Sequence, residues 1–459
     1  DSLGGKAALW ELFSENNASL NLYVTLCAAC PYLAGILTSN PGMIDELMDS
    51  LLVEGLPQLD VLRKTLADLS PGAEDLEPIL HSFKNAKHLR VGVRDILGKD
   101  DISATHSALS DIAQACLERI IENEHHTLEE KYGTPTIVLP EDREHLPPEL
   151  AQRDGTPCEL IVLALGKLGG REPNYHSDLD LVFLYEYDGR TTPGRRTASD
   201  GTSNGHFFSE LSQKIIKTAS HMGPYGRLYE VDARLRPTGR SGSLAMPVDA
   251  FLQYFTSGSG QLWERQALCK ARVVYGGPAA AKYAMNAVYR AAFGPEWTPD
   301  KAEEVRQMRF RLEETASNQN LKRGRGGTVD TEFLVQMLQL QHGGHDPAVR
   351  VTGTLAALAA LHQRGYLASE DFEHFSQSYR FQRSVEARIR LMDSTGRHEL
   401  DTDEAELRKL AYLYGAMDAR QLAKAAQQAF DENRRRFIRL FDQAAHSGQP
   451  QPTAPGASP

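Results

Sequence analysis

Apolar residues change their spacing twice along this chain. Between Leu80 and Leu97, Phe83, Leu89, Val93, Ile96 and Leu97 recur at roughly helical spacing. From Ile102 to Tyr132 the pattern repeats with Leu109, Ile112, Cys116, Ile120 and Ile121. That period is the stripe of a helix with one buried face, so the front of the chain is predicted to be helical. Pro135, Pro140, Pro147 and Pro148 then mark an exposed connection. Beyond it the apolar runs shorten. Glu159–Leu165, Asp178–Tyr187 and Leu228–Leu235 read as strands, the first directly followed by Gly166, Gly169 and Gly170. A polar loop from Asp188 to Gly205 separates the last two, with a helix carrying Phe207, Phe208, Leu211, Ile215 and Ile216. From Asp300 helical spacing returns, with faces at Phe372, Phe375, Tyr379, Val385 and Ile389, at Leu407, Leu410 and Leu413, and at Ala425, Phe430 and Phe437. The last residues, from Gly448, are Pro-rich and predicted to be disordered. The reading is an α+β chain in four parts: a helical domain over 1–134, a domain around a small mixed sheet over 135–295, a second helical domain over 296–446, and a tail over 447–459.

Composition adds constraints. Among the 459 residues no apolar run reaches membrane-spanning length, and the first ten lack the basic-then-apolar order of a signal peptide. Five scattered cysteines (Cys27, Cys30, Cys116, Cys158, Cys269) suit a reducing cytoplasm better than a disulfide scaffold. Cys27 and Cys30, in CAAC, lack a second ligand pair, as do His342 and His345 in HGGH, so neither reads as a metal site. The chain begins at Asp1 rather than Met, which suggests a fragment. Its net charge of −11 argues against a surface that coats nucleic acid. That charge is uneven: residues 1–150 hold 11 basic and 25 acidic residues, whereas 151–290 hold 17 basic and 13 acidic. The middle is therefore the place to look for an anionic ligand.

Candidate chemistry concentrates in GKLGGREPNYHSDLDLVFLYE, from Gly166 to Glu186. Side chains alternate across a strand, so Asp178 and Asp180 share a face. Two such carboxylates repel unless a cation lies between them, although a solvent-facing strand start is the bland alternative. Gly169-Gly170 frees a turn whose amides could approach phosphate oxygens. A third carboxylate, Asp232, lies in the third predicted strand. If that strand pairs beside the second, three oxygen donors converge, a set suited to Mg²⁺ and to nucleotide phosphates. Arg234 and Arg236 alternate with Asp232 and are candidates to neutralise a triphosphate, as Lys270 and Arg272 are in CKARVVYG, each equally compatible with a solvated surface. Trp263 reads as a core residue. Asp330 and Glu332, two apart, would not share a helix face.

The string GKLGGREPNYHSDLDLVFLY resembles the signature of glutamine synthetase adenylyltransferases. Further matches follow at Phe83–Gly98 (FKNAKHLRVGVRDILG), Tyr229–Leu244 (YEVDARLRPTGRSGSL), Trp263–Gly276 (WERQALCKARVVYG) and Lys322–Gln336 (KRGRGGTVDTEFLVQ). The resemblance implies a polymerase β-like nucleotidyltransferase core. It implies catalytic and metal-binding roles for Asp178, Asp180 and Asp232, with Gly169, Gly170, Ser177, Arg234, Arg236, Lys270, Arg272 and Lys322 contacting ATP. The implied reaction is transfer of AMP to a tyrosine of glutamine synthetase with Mg²⁺, under the PII signal protein as regulator, in the cytoplasm, without nucleic acid or membrane. Such enzymes fuse two related halves, one attaching and one removing adenylyl groups. The non-Met start and the Pro-rich tail suit the C-terminal, attaching half. The alternatives are the phosphorolytic removing half, a non-catalytic module that binds glutamine synthetase or PII, and an unrelated nucleotidyltransferase. Three positions depart from the family pattern: Pro173, His176 and Thr331.

Overall fold

The computed structural model describes residues 17–40, 43, 55–141, 150–194, 201–393, 398–415 and 418–446. The predicted tail and the Pro147-Pro148 pair lie outside those residues. The chain is mostly helical with small mixed sheets, which is an α+β arrangement. Five helices come first: α1 (Asn17–Ala29), α2 (Pro31–Ser39), α3 (Leu59–Leu69), α4 (Glu77–Ile96) and α5 (Ile102–Tyr132). The ends of α5 follow from local chemistry. The Asp101 carboxylate accepts the Ala104 amide at the N-terminus, and Gly133 ends the helix at φ 88°, where a side chain would be strained. Buried residues occur all round the middle of α5, because α3, α4 and a later helix each cover part of it.

Strands follow: β1 (Thr134–Ile137), β2 (Leu160–Ala164), the one-turn helix α6 (Gly166–Gly169), β3 (Leu179–Tyr185) and β4 (Gly189–Thr192). Next come α7 (Asn204–Ser220), β5 (Val231–Asp232), β6 (Ala245–Pro247), α8 (Val248–Thr256), α9 (Leu262–Leu268), β7 (Arg272–Tyr275) and α10 (Pro278–Phe293). The main sheet runs β5-β3-β2-β7, with β6 also paired to β3. β2 is antiparallel to β3 and β7, whereas β5 and β6 run parallel to β3. All five residues of β2 are buried, as expected of a central strand covered on both faces. β1 and β4 form a separate antiparallel pair.

The third predicted strand is much shorter than expected. Only Val231 and Asp232 pair with β3, and the chain turns at Arg234. Strands β1, β4, β6 and β7 have at most four residues each, too few to show an alternation in sequence. Trp263 is 43% exposed on α9, not in the core.

The remaining helices are α11 (Pro299–Glu313), α12 (Thr328–His342), α13 (Thr354–Gln363), α14 (Ser369–Met392), α15 (Glu404–Gly415) and α16 (Ala419–His446). They are not appended as a separate ball. One apolar core runs from Leu22 through the buried sheet to Phe437 and Phe441. A smaller cluster, including Leu321, Val385, Leu410, Leu422 and Phe430, joins α14, α15 and α16. Among the described residues no single helix is long and apolar enough to cross a membrane.

Candidate active site

Three carboxylates meet where β3 and β5 run side by side. The parallel register sets Leu179 opposite Val231 and Asp180 opposite Asp232. Asp178 sits one residue before β3, so side-chain alternation carries it to the same face as Asp180. Oxygens of Asp178, Asp180 and Asp232 all lie within 4.8 Å of one another. Gly166 makes room for them. It holds φ +52°, and a Cβ there would collide with the Asp180 carboxylate. Burial, together with the charges of Asp178 and Asp232, pushes the Asp180 carboxyl up to about 7. Lys322 and Arg234 offset this only in part. Three hard oxygen donors whose mutual repulsion is only partly compensated fit a divalent cation of the Mg²⁺ class.

The two arginines expected beside them do different things. Arg234 folds back on Asp232, with Nε 2.9 Å from Oδ1 and 2.8 Å from Oδ2. Its hydrogen bonds hold the Asp232 carboxyl below the usual range. Arg234 is exposed, so its fork lies at the site's open side. Arg236 instead pins its own loop, donating to the carbonyls of Ala233, Gly242 and Ser243. The expected shared strand face for Asp232, Arg234 and Arg236 is thus corrected, because β5 ends at Asp232.

The glycine pair is held within its own turn. The Gly169 amide donates to Leu165 O (2.8 Å) and the Gly170 amide to Gly166 O (3.1 Å). Both donors are engaged inside the turn. A Cβ on Gly169 would strike the carbonyls of Lys270 and Ala164, so this glycine serves close backbone packing. Lys270 and Arg272 lie behind the turn. Buried Lys270 pairs with Glu172 (3.1 Å) and Glu332 (2.9 Å), and Arg272 donates to Gln114, Ser110 and Leu168 O. Neither is set toward the acid trio as a phosphate contact. Ser177 is buried, and its Oγ accepts the Asn174 amide at 2.9 Å.

A polar cavity of about 600 Å³ opens beside Asp178. Ser177 and Lys322 line it, and so do Lys84, Lys167, Arg227, Arg323 and Arg390. Burial, then the Arg383 charge, drives the Lys167 ammonium well below its usual range. Lys84 drops to about 8 by burial; it donates to Leu228 O and lies over the Tyr229 ring. A larger cleft of about 980 Å³ follows β7 at the opposite edge of the sheet, and none of the three acids lines it.

Lys84, Lys167 and Arg390 escaped the sequence reading. Arg383, Glu386 and Arg390 are spaced three and four apart on the helix that carries the apolar face Phe375, Tyr379, Val385 and Ile389, a pattern of charge beside a core face that could have drawn attention. Asp330 and Glu332 do diverge on α12. Asp330 is fully buried, between Arg309 (2.6 Å) and Arg434 (3.1 Å), while Glu332 turns to Lys270 and Tyr379. His342 stacks on Tyr366 with ring centroids 3.8 Å apart.

The carboxylate trio thus meets, through Asp178, a cavity lined by lysines and arginines. Residues 20–287 match the glutamate-ammonia ligase adenylyltransferase family, and the chain belongs to that family. Residues 300–444 match a second family, described as GlnD PII-uridylyltransferase. Relatives named bifunctional glutamine synthetase adenylyltransferase/adenylyl-removing enzyme occur in several bacteria. That of Stenotrophomonas maltophilia (strain K279a) is 29% identical over 439 residues, covering 95% of this chain and 44% of the relative. That of Pseudomonas aeruginosa is 31% identical, covering 86% and 41%. That of Thioalkalivibrio sulfidiphilus is 32% identical, covering 86% and 40%. The chain thus spans less than half the length of these relatives.

Proposed function

We propose that this chain transfers AMP from ATP to a tyrosine hydroxyl of glutamine synthetase, releasing pyrophosphate. The observation that carries the reading is the convergence of Asp178, Asp180 and Asp232 beside a cavity lined by lysines and arginines. The mixed sheet that presents the trio supports a polymerase β-like nucleotidyltransferase core. Asp178 and Asp180 would hold Mg²⁺, with Asp232 completing the set. The cation supplies charge neutralisation at the phosphates. Lys322, Lys84 and Arg323 offer the triphosphate its positive surroundings. A free phenol has a pKa of about 10, so the attacking hydroxyl needs a nearby metal or carboxylate to give up its proton at neutral pH. Asp232, whose carboxyl Arg234 holds low, would stand near the incoming hydroxyl as a ligand and not as a strong base. The hydroxyl oxygen attacks the α-phosphorus, the bond to the bridging oxygen breaks, and pyrophosphate leaves. Most of the protein's contribution is positioning and electrostatics.

The test is Asp178→Asn with radiolabelled ATP and glutamine synthetase. Label transfer is expected to disappear, and undiminished labelling would sink the assignment. The second reading is removal of adenylyl groups by phosphate, because the relatives carry both activities in their name and this chain matches less than half of each. Release of ADP from adenylylated glutamine synthetase in phosphate separates the two. The match of residues 300–444 to a PII-uridylyltransferase family supports PII as a regulatory partner.

A further inference from the structure

The segment that aims Asp178 is held from outside the sheet. Residues Asn174 to Ser177 form a tight turn, closed by the Ser177 amide donating to Asn174 O at 3.1 Å. His176 inside it has φ +58°, a left-handed conformation that is unfavourable for a non-glycine residue. The carbonyls of Tyr175 and His176, the two central residues, are both caught by one side chain. Arg390, buried on α14, donates Nη1–H to Tyr175 O (2.9 Å) and to His176 O (3.0 Å). Its Nη2 lies 2.7 Å from His398 Nε2, and His398 Nδ1 lies 2.7 Å from Glu386. Glu386 also pairs with Lys167, in the turn after β2, at 3.2 Å. One arginine therefore spans two backbone acceptors immediately before Ser177 and Asp178, and its far side is tied into the same buried network.

We propose that Arg390 is a positioning residue: it fixes the left-handed turn that presents the Asp178 carboxylate, and so sets the affinity of the acid trio for a divalent cation. The fork geometry matters. A planar guanidinium can hold two carbonyls and a third partner at once, which a lysine ammonium on a flexible stem does poorly. Residues that orient a metal ligand without touching the metal commonly account for about 10–100-fold in affinity. The inference rests on the metal-site reading above, and its experiment separates the two.

The experiment titrates the full chain with Mn²⁺ by electron paramagnetic resonance, for wild type, Arg390→Met and Arg390→Lys, alongside adenylyl transfer to glutamine synthetase. Arg390→Met is expected to weaken Mn²⁺ binding about tenfold or more and to lower kcat, with a smaller change in KM for ATP. Arg390→Lys is expected to recover part of the Mn²⁺ affinity. Unchanged Mn²⁺ affinity in Arg390→Met overturns the proposal, as does a rise in KM for ATP alone, which would make Arg390 a nucleotide contact. If Arg390→Met does not fold by circular dichroism, His398→Gln decides: a weaker shift in the same direction supports the proposal and no shift overturns it. A wild-type chain that binds no Mn²⁺ sinks the metal site and the clamp together. One that binds Mn²⁺ but transfers no AMP sinks only the reaction.

Discussion

Asp180 is the member of the acid trio whose pKa its surroundings raise. Its carboxyl titrates near 7 because burial and two neighbouring acids disfavour its charge. The sign of the consequence is fixed by linkage. A carboxyl raised from its unfolded value binds protons more tightly in the folded state. The contribution of Asp180 to the stability of the metal-free protein should therefore fall as pH rises from about 4 to about 7. A bound cation reverses the balance, since it must displace the proton. Mn²⁺ affinity is expected to be several-fold to about tenfold lower at pH 6 than at pH 8, and calorimetric titration at both values checks it. Equal affinities would remove the repulsion argument. At this scale the sequence was informative about the acids, because alternation around Asp178 and Asp180 is a property of two adjacent positions. It did not show the partners of Arg236, which are carbonyls of its own loop, or of Lys270 and Arg272, which come from distant helices. A basic residue near an acid in sequence carries no record of which carbonyl or glutamate will hold it.

The elements around the site impose their own tolerances. Gly166 joins β2 to the one-turn helix α6, and its left-handed φ and missing Cβ both serve Asp180. Gly166→Ala should cost about 1–2 kcal/mol in backbone strain and displace the carboxylate as well. Loss of Mn²⁺ binding with a modest fall in melting temperature is the expected pair of results. Helix α12 shows a different constraint. Asp330 sits in its first turn between Arg309 and Arg434, all three buried. Asp330→Ala leaves two buried guanidinium groups without their shared acid, a change expected to destabilise by about 3–5 kcal/mol in urea unfolding. A loss under about 1 kcal/mol would mean that water or Glu313 compensates. Long helices were legible in the sequence, α5 to the residue, because a buried stripe repeats many times over such a length. The two-residue strand β5 was legible only as part of a longer run, since its end is set by where the chain turns onto Arg236.

At the scale of the molecule, the predicted division at residue 296 crosses dense packing. Lys270 pairs with Glu332, Lys167 with Glu386, and Asp95 of α4 with Arg388 of α14. The apolar core continues from the sheet into α12, α14 and α16. A chain ending at residue 295 is therefore expected to lack cooperative unfolding and to bind no Mn²⁺, which calorimetry and titration would show. A sharp transition in that fragment would restore the middle segment as an independent unit. Pattern along a sequence marks where helices give way to strands; it does not report whether the surfaces at that border are wet.

The clamp on the 174–177 turn has a consequence in time. During synthesis the three acids leave the ribosome well before α14, which follows Asp232 by more than a hundred residues. At about 5–20 residues per second that interval is on the order of ten seconds or more. Throughout it the nascent chain has its carboxylates but not Arg390, so the loop that carries Asp178 has only its own hydrogen bonds and the rings of Tyr32 and His88 to hold it. On the clamp proposal, competence for metal would then arrive only once α14 has been made, and not with the first part of the chain to fold.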